Sequence, residues 1–244
     1  MSSTICLDFG NTRWKGAIFT GKELVQTFVL DKGEVLEQMA KVLDEYRPDA
    51  TILSSVVNHP AALEPLLASR SNFHKLDHLS QLPFTIPVGK PETIGADRLA
   101  LAAAVVWLKP GQHNLAIGLG SCITFNFINK EHQFLGGSIS PGLEMRIRAM
   151  HQFTARLPLV PATWNVPLVG YDTATNLQSG AVLGMAKEID GIVDAYAERY
   201  ANFNVLLTGG DIPFLAPHLK NKIFADPHLI FKGLYAISEV NRSQ

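Results

Sequence analysis

The stretch Ile5-Cys6-Leu7-Asp8-Phe9-Gly10-Asn11-Thr12-Arg13-Trp14-Lys15-Gly16-Ala17-Ile18-Phe19 is an apolar run that halts at a polar turn carrying one acid and then resumes. It predicts a strand, a tight turn and a second strand. Gly10 lets the backbone turn sharply and lets a ligand approach closely. Asn11 and Thr12 add side-chain donors to their own amides. Asp8, at the strand's end, can reach a metal ion or metal-bound water. Together these features suit the phosphate tail of a nucleotide, although the string by itself equally describes an ordinary polar hairpin.

The pattern recurs. From Leu115 the chain reads Leu115-Ala116-Ile117-Gly118-Leu119-Gly120-Ser121-Cys122-Ile123-Thr124-Phe125-Asn126-Phe127-Ile128, again strand, small-residue turn, strand. Gly118 falls against Asp8, Gly120 against Gly10, and Ser121 against Asn11. One such hairpin near the start of each half indicates an internal duplication. Two similar halves facing each other would bring a phosphate loop to a cleft from each side.

The surrounding sequence extends this organisation. Ile5–Leu7, Arg13–Phe19 and Leu24–Leu30 read as three consecutive strands. Val35–Tyr46 has apolar residues at helical spacing and stops before Pro48. Ala50–Val57 reads as a strand, Asn58-His59-Pro60 as a helix start, and Phe73–Leu76 as a short strand. Residues 80–92 hold Pro83, Pro87 and Pro91 and predict an irregular loop. A helix runs to Leu108, and Lys109-Pro110-Gly111 ends it. The predicted domains are therefore 1–110 and 111–244. In the second, strands are expected at Asn114–Leu119, Cys122–Ile128 and Phe134–Ile139. Pro141-Gly142 opens a helix, Pro158–Gly170 is a loop, and Thr173–Tyr200 is a long helix despite three glycines. Asn204–Leu207 is a strand ending in Thr208-Gly209-Gly210-Asp211, and the last elements run from Ile223 to Val240. Three strands followed by alternating helices and strands, twice over, indicate a duplicated α/β fold with a central mixed β-sheet in each half.

Composition narrows the function. The chain has 244 residues, 47% of them apolar, so a sizeable core is available. A formal net charge of −1 argues against a sequence-independent nucleic-acid binder. No apolar run of membrane-spanning length occurs, and no secretory signal pattern opens the chain. Cys6 and Cys122 both lie in apolar strand patterns, which argues against a disulfide framework and suits a reducing cytoplasm. The histidines form no paired metal-ligand spacing, and neither cysteine has a CxxC partner, so a zinc site is not expected.

Three further segments carry candidate chemistry. Gly95-Ala96-Asp97-Arg98 follows the long loop and begins a predicted helix. Asp97 there can hold a substrate hydroxyl and accept its proton as a phosphoryl group arrives. It can equally be a first-turn acid that favours the helix, with Arg98 as a surface partner. Gly136-Gly137-Ser138-Ile139-Ser140-Pro141-Gly142 joins a strand to a helix. It is either a site where a ligand meets backbone amides or simply a tight connection. The glycines of Thr208-Gly209-Gly210-Asp211 suit an adenine or ribose passing near the backbone, and Asp211 alternatively caps the helix.

Taken together, DFGNTRWK (8–15), IGADR (94–98), LGSCIT (119–124), FLGGSISPGL (134–143), FTARLPLV (153–160), DTATNLQSG (172–180), LLTGGD (206–211) and FKGL (231–234) resemble the type III pantothenate kinases. These belong to the acetate and sugar kinase/Hsp70/actin superfamily, and the resemblance spans almost the whole chain. It implies two actin-like (ribonuclease H-like) domains with the active site in the cleft between them. It also implies ATP-dependent phosphorylation of pantothenate to 4'-phosphopantothenate, the first step of coenzyme A biosynthesis. By resemblance, Asp8, Gly10, Asn11, Thr12, Lys15, Gly120, Ser121, Gly209, Gly210 and Asp211 serve ATP, with Asp8 near magnesium. Gly95, Ala96, Asp97, Arg98 and Thr173 serve pantothenate, Asp97 being the general base and Thr173 reaching its substrate across a homodimer interface. The family also implies a monovalent cation, potassium or ammonium. Alternatives are a catalytically weak paralogue with a regulatory role, or another small-molecule kinase of the superfamily.

The chain departs from the resemblance at one place. The family's second phosphate motif carries an Asp, which helps bind the monovalent cation, where this chain has Gly118, and a Thr where it has Ser121. A second family acid corresponds to Asn126. The expectation is a kinase with a weakened or absent potassium requirement.

Overall fold

The hairpin that opens the chain is held by its own aromatic pair. In the computed structural model, which describes residues 2–87 and 89–242, β1 (Ser3–Phe9) and β2 (Trp14–Thr20) pair antiparallel. Phe9 sits opposite Trp14, and their rings stack at 4.4 Å. Such a cross-strand pair fixes register at the mouth of the turn. β3 (Glu23–Leu30) continues the meander, α1 (Val35–Tyr46) follows, and β4 (Ala50–Ser55) returns parallel to β1. The helix start expected at 58–60 is delayed: α2 spans Leu63–Ala68. After it comes β5 (Asn72–Lys75), parallel to β4, which completes a sheet of order β3-β2-β1-β4-β5. The predicted loop 80–92 is irregular until a short helical turn at Pro91–Thr93; Val88 lies outside the described residues. Then α3 (Ala96–Leu108) begins.

The second sheet repeats this plan. β6 (His113–Leu119) pairs antiparallel with β7 (Cys122–Ile128), and β8 (Phe134–Pro141) neighbours β7. α4 (Leu143–Gln152) and the long α5 (Thr173–Arg199) follow. β9 (Phe203–Gly209) lies parallel to β6, α6 (Ile212–Leu215) is a single turn, and β10 (Phe224–Ala225) pairs parallel with β9. The order β10-β9-β6-β7-β8 matches the first sheet element for element, as the paired hairpin motifs imply. α5 survives its glycines because Leu177, Ala181, Val182, Met185, Ala186, Ile189 and Val193 bury one continuous face. Its start is fixed by a capping box between Asp172 and Thr175.

The contacts do not divide the chain by a single cut after Pro110. One unit comprises Met1–Pro110, Glu131–Leu135 and His228–Gln244, and the other Gly111–Lys130 and Gly136–Pro227. The final helix, α7 (Leu229–Arg242), belongs to the first unit because it packs on α3. α3 is lined with alanines, and Gly233 of α7 lies against the backbone of Ala100 and Ala104 with no room for a side chain. Around this crossing, Phe19 stacks on Tyr235 and Trp107 meets Tyr235 edge-on. The Arg242 guanidinium donates to the Ser3 carbonyl and so ties the helix's end to β1.

This crossing yields a stability prediction. Gly233→Val must push α7 off α3, and overpacking of this kind costs about 1–3 kcal/mol. Urea denaturation should show a lowered midpoint, whereas Lys22→Ala, at an exposed turn position, should not lower it.

Candidate functional site

In the first unit, two carboxylates are brought together at the carboxyl ends of parallel strands. β1 delivers Asp8 and β4 delivers Ser54 beside it in register. Lys15 of β2 is the residue directly opposite Asp8. α3 starts next to the end of β4 and presents Asp97 in its first turn. Gly95 leaves the Asp97 carboxylate its place: a Cβ there would lie 2.5 Å from Asp97 Oδ1, and the carboxylate would have to move. The carboxylate is folded back over Gly95 at the helix start, and the Arg98 N–H donates to the Gly95 carbonyl at 3.0 Å.

Electrostatics make this pair unusual. Burial pushes the Asp8 carboxyl up to about 7, the Asp97 charge adds to this, and Lys15 opposes it. Burial also raises Asp97 above the ordinary carboxylate range, with the backbone N–H and the charge of Arg98 opposing. Burial disfavours the charged form of both acids, and at Asp8 the neighbouring Asp97 charge adds to it. A cation would relieve both effects. The neighbouring Ser54 hydroxyl is buried without a protein hydrogen-bond partner. Among the described residues no group of three or more His, Cys, Asp or Glu is placed to hold a metal. A divalent ion here would therefore draw most of its ligands from substrate and water, as magnesium commonly does at phosphates.

The turn after Asp8 is open and anchored from outside. The Gly10 N–H donates to the Arg13 carbonyl at 3.2 Å, while Asn11, Thr12 and Arg13 are exposed. Lys32, which the sequence reading did not single out, donates to the Asn11 carbonyl at 2.8 Å and lies over the Trp14 ring. Arg98 is placed by Phe134, whose ring lies 5.6 Å from the guanidinium carbon. Phe134 reaches the first unit through paired backbone bonds between Thr85 and His132–Phe134. Neither contact has a local sequence signal, because each joins residues far apart in the chain or outside any motif.

In the second unit the predicted residues also gather at one sheet end. Gly120 and Ser121 form the turn between β6 and β7, closed by Gly120 N–H donating to the Cys122 carbonyl at 3.0 Å. Gly209 is the register partner of Leu119 and has a φ of +123°, with the Leu119 carbonyl filling the place of a side chain. The Gly210 N–H donates to the same carbonyl. Asp211 starts α6 but makes no side-chain cap bond, so capping does not explain its carboxylate. Gly118 pairs with Thr124 in the hairpin and contributes no side chain. Asn126 is fully buried, and its amide nitrogen donates to the Ala116 carbonyl and the Thr124 hydroxyl. Thr173 is exposed at the first position of α5.

Comparison with known proteins bears on the family and the fold. A family model described as type III pantothenate kinase matches residues 4–195. The type III pantothenate kinase of Flavobacterium johnsoniae is 38% identical over 232 residues, covering 94% of this chain and 95% of that protein. That of Cytophaga hutchinsonii is 38% identical over 239 residues, covering 97% and 99%. Among solved structures, a Campylobacter jejuni protein named for the Baf family of transcriptional activators superposes with a TM-score of 0.63 at 21% identity, covering 98% of this chain and 100% of its own. A ROK family protein from Streptococcus pneumoniae superposes at 0.53 with 10% identity, covering 99% and 100%. The structural likenesses show the actin-like kinase fold.

The raised Asp8 carboxyl has a thermodynamic consequence. Its folded value lies above its unfolded value of 3.8, so the folded state holds the proton more tightly. Stability from this group is greatest at low pH and is lost as pH rises towards 7. Asp8→Asn should therefore stabilise the ligand-free protein, more at pH 8 than at pH 5, in paired urea titrations.

Proposed function

The chain belongs to the type III pantothenate kinase family, and we propose how its own residues divide the work. The reaction moves a phosphoryl group from ATP to the primary hydroxyl of pantothenate, the first step towards coenzyme A. Asp97 accepts the hydroxyl proton, and the observation that carries this reading is its place. It sits half-buried at a helix start, folded over Gly95, beside a second acid suited to a cation. Its raised proton affinity brings it nearer to working pH, where a general base is more effective. Arg98, propped on Phe134, pairs with the substrate's carboxylate or the arriving phosphoryl oxygens. Ala96 and Gly95 leave the acceptor room to approach.

Asp8 would hold magnesium, with Lys15 beside it. When bound, the ion supplies charge neutralisation along the triphosphate. Gly10, Asn11 and Thr12 offer an open turn to the phosphates, and Gly120 with Ser121 offers a second. Gly209, Gly210 and Asp211 flank the nucleoside. Positioning and charge compensation are most of what phosphoryl transfer asks of a protein. A monovalent cation finds no carboxylate at Gly118 or Asn126, and the Asn126 amide carries no charge. Turnover that varies little with KCl between zero and saturation is the expected result; strict potassium dependence would refute that part.

The surface of α5 supports a homodimer. Thr173, Gly180, Gly184 and Gly191 fall on one exposed face of α5, with open space around all three glycines. Each exposed glycine costs its helix about 1 kcal/mol relative to alanine, so close approach of another surface is a physical reason to keep them. Phe153, Leu159, Trp164, Leu168, Val169 and Tyr171 add exposed apolar area in the preceding segment. A cytoplasmic setting fits an ATP-dependent enzyme with two free thiols. Among the described residues, no helix is long and apolar enough to cross a membrane.

Two measurements test the reading. ADP release should depend on pantothenate, and Asp97→Asn should lower it by about 10²–10⁴-fold, the usual range for losing a general base. No pantothenate-dependent turnover in the parent would defeat the assignment. In sedimentation velocity the parent should run as a dimer, and Gly184→Leu, which has room within the monomer, should shift it to the monomer.

A further inference from the structure

The turn that carries Gly120 and Ser121 is held from behind. Gly142, the residue before α4, donates its N–H to the Ser121 carbonyl at 3.0 Å. It lies so close to the Gly120 and Ser121 carbonyls that a side chain cannot fit. The position of Gly142 is set in turn by the segment just before it. Arg146 Nε donates to the Pro141 carbonyl at 2.8 Å, and Arg146 Nη2 donates to the Ser140 hydroxyl at 3.3 Å. The Ser140 hydroxyl donates to one carboxylate oxygen of Glu188, and Arg146 pairs with the other. Glu188 belongs to the middle of α5, the longest helix of the chain. The three side chains thus link a rigid helix to the turn through one residue, Gly142.

We propose that Glu188, with Arg146 and Ser140, is a positioning residue for ATP that fixes the Gly120–Ser121 turn through Gly142. The inference rests on the reading that this turn contacts the triphosphate. The ion pair is half-buried, with Arg146 22% and Glu188 25% exposed, and both carboxylate oxygens are used. A paired, hydrogen-bonded charge in that setting loses more on breaking than an exposed pair does. The exposed Lys220–Asp194 pair provides a contrast, because it joins the same helix to a different segment. Small displacements of a positioning group are costly when a reaction depends on alignment.

The test uses Glu188→Gln and Arg146→Met, with Lys220→Met as control. Magnesium–ATP affinity is measured by calorimetry without pantothenate, and steady-state constants are measured for both substrates. Both variants should weaken ATP binding and raise KM for ATP by about tenfold, as a misplaced contact does. KM for pantothenate should stay within about twofold, and Lys220→Met should change neither. Unchanged ATP affinity in soluble Glu188→Gln and Arg146→Met, with only a lower melting temperature, overturns the proposal. So does equal weakening of both substrates. Should both variants fail to fold, Ser140→Ala removes one hydroxyl and no charge. A rise of about threefold in the ATP dissociation constant then supports the proposal, and no change overturns it. Because nucleotide affinity is read directly, the result stands apart from whether pantothenate is the acceptor.

Discussion

The burial of two carboxyl groups, Asp8 and Asp97, in one partly dry site is the constraint around which the first unit is arranged. Neither acid has a cationic partner strong enough to hold it at an ordinary carboxylate value, although Lys15 and Arg98 both act in that direction. Such an arrangement lowers the stability of the ligand-free protein, and sites of this kind persist when a ligand supplies the missing charge. Here the missing charge is positive, and under the proposed reading a magnesium ion at Asp8 would supply it. The two acids can then take different roles because their surroundings differ. Asp8 lies near a strand's end opposite Lys15, whereas Asp97 sits in the first turn of a helix beside Arg98.

The rest of the unit holds that geometry. β1 and β4 run parallel, so their ends and the start of α3 converge at one edge of the sheet. α3 is fixed by α7, which approaches it to backbone contact at Gly233. Arg98 is fixed by Phe134, and the first turn is anchored by Lys32. In the second unit the same logic is met by different means. Gly142 and Gly209 bring backbone against the ends of β6 and β7, and Glu188 holds the approach segment to α5.

Much of this was legible in the sequence where cause and effect lie close together. Cys122–Ile128 and Val35–Tyr46 have the predicted bounds, because period and turn residues are local signals. The paired hairpins predicted the duplicated sheets for the same reason. The DFGNT and GADR strings marked Asp8 and Asp97, but their mutual approach needed the strand order. Long-range packing was not legible. α7 sits with the first unit because of a glycine-to-alanine crossing between residues more than a hundred positions apart. Phe134 and Lys32 act on residues outside their own segments. The helix expected at 58–60 begins later, at Leu63. Asn126, aligned with a family acid, turned out to serve the hairpin's own hydrogen bonds.

The division of labour between the two acids is tested most directly by calorimetric titration of ATP into Asp8→Asn and Asp97→Asn, each with and without magnesium. Asp97→Asn should bind magnesium–ATP within about twofold of the parent, or more tightly, since removing a like charge favours an anion. Asp8→Asn should bind ATP equally with and without magnesium. The reverse pattern, with magnesium dependence kept in Asp8→Asn and lost in Asp97→Asn, would contradict the assignment of metal to one carboxylate and proton to the other.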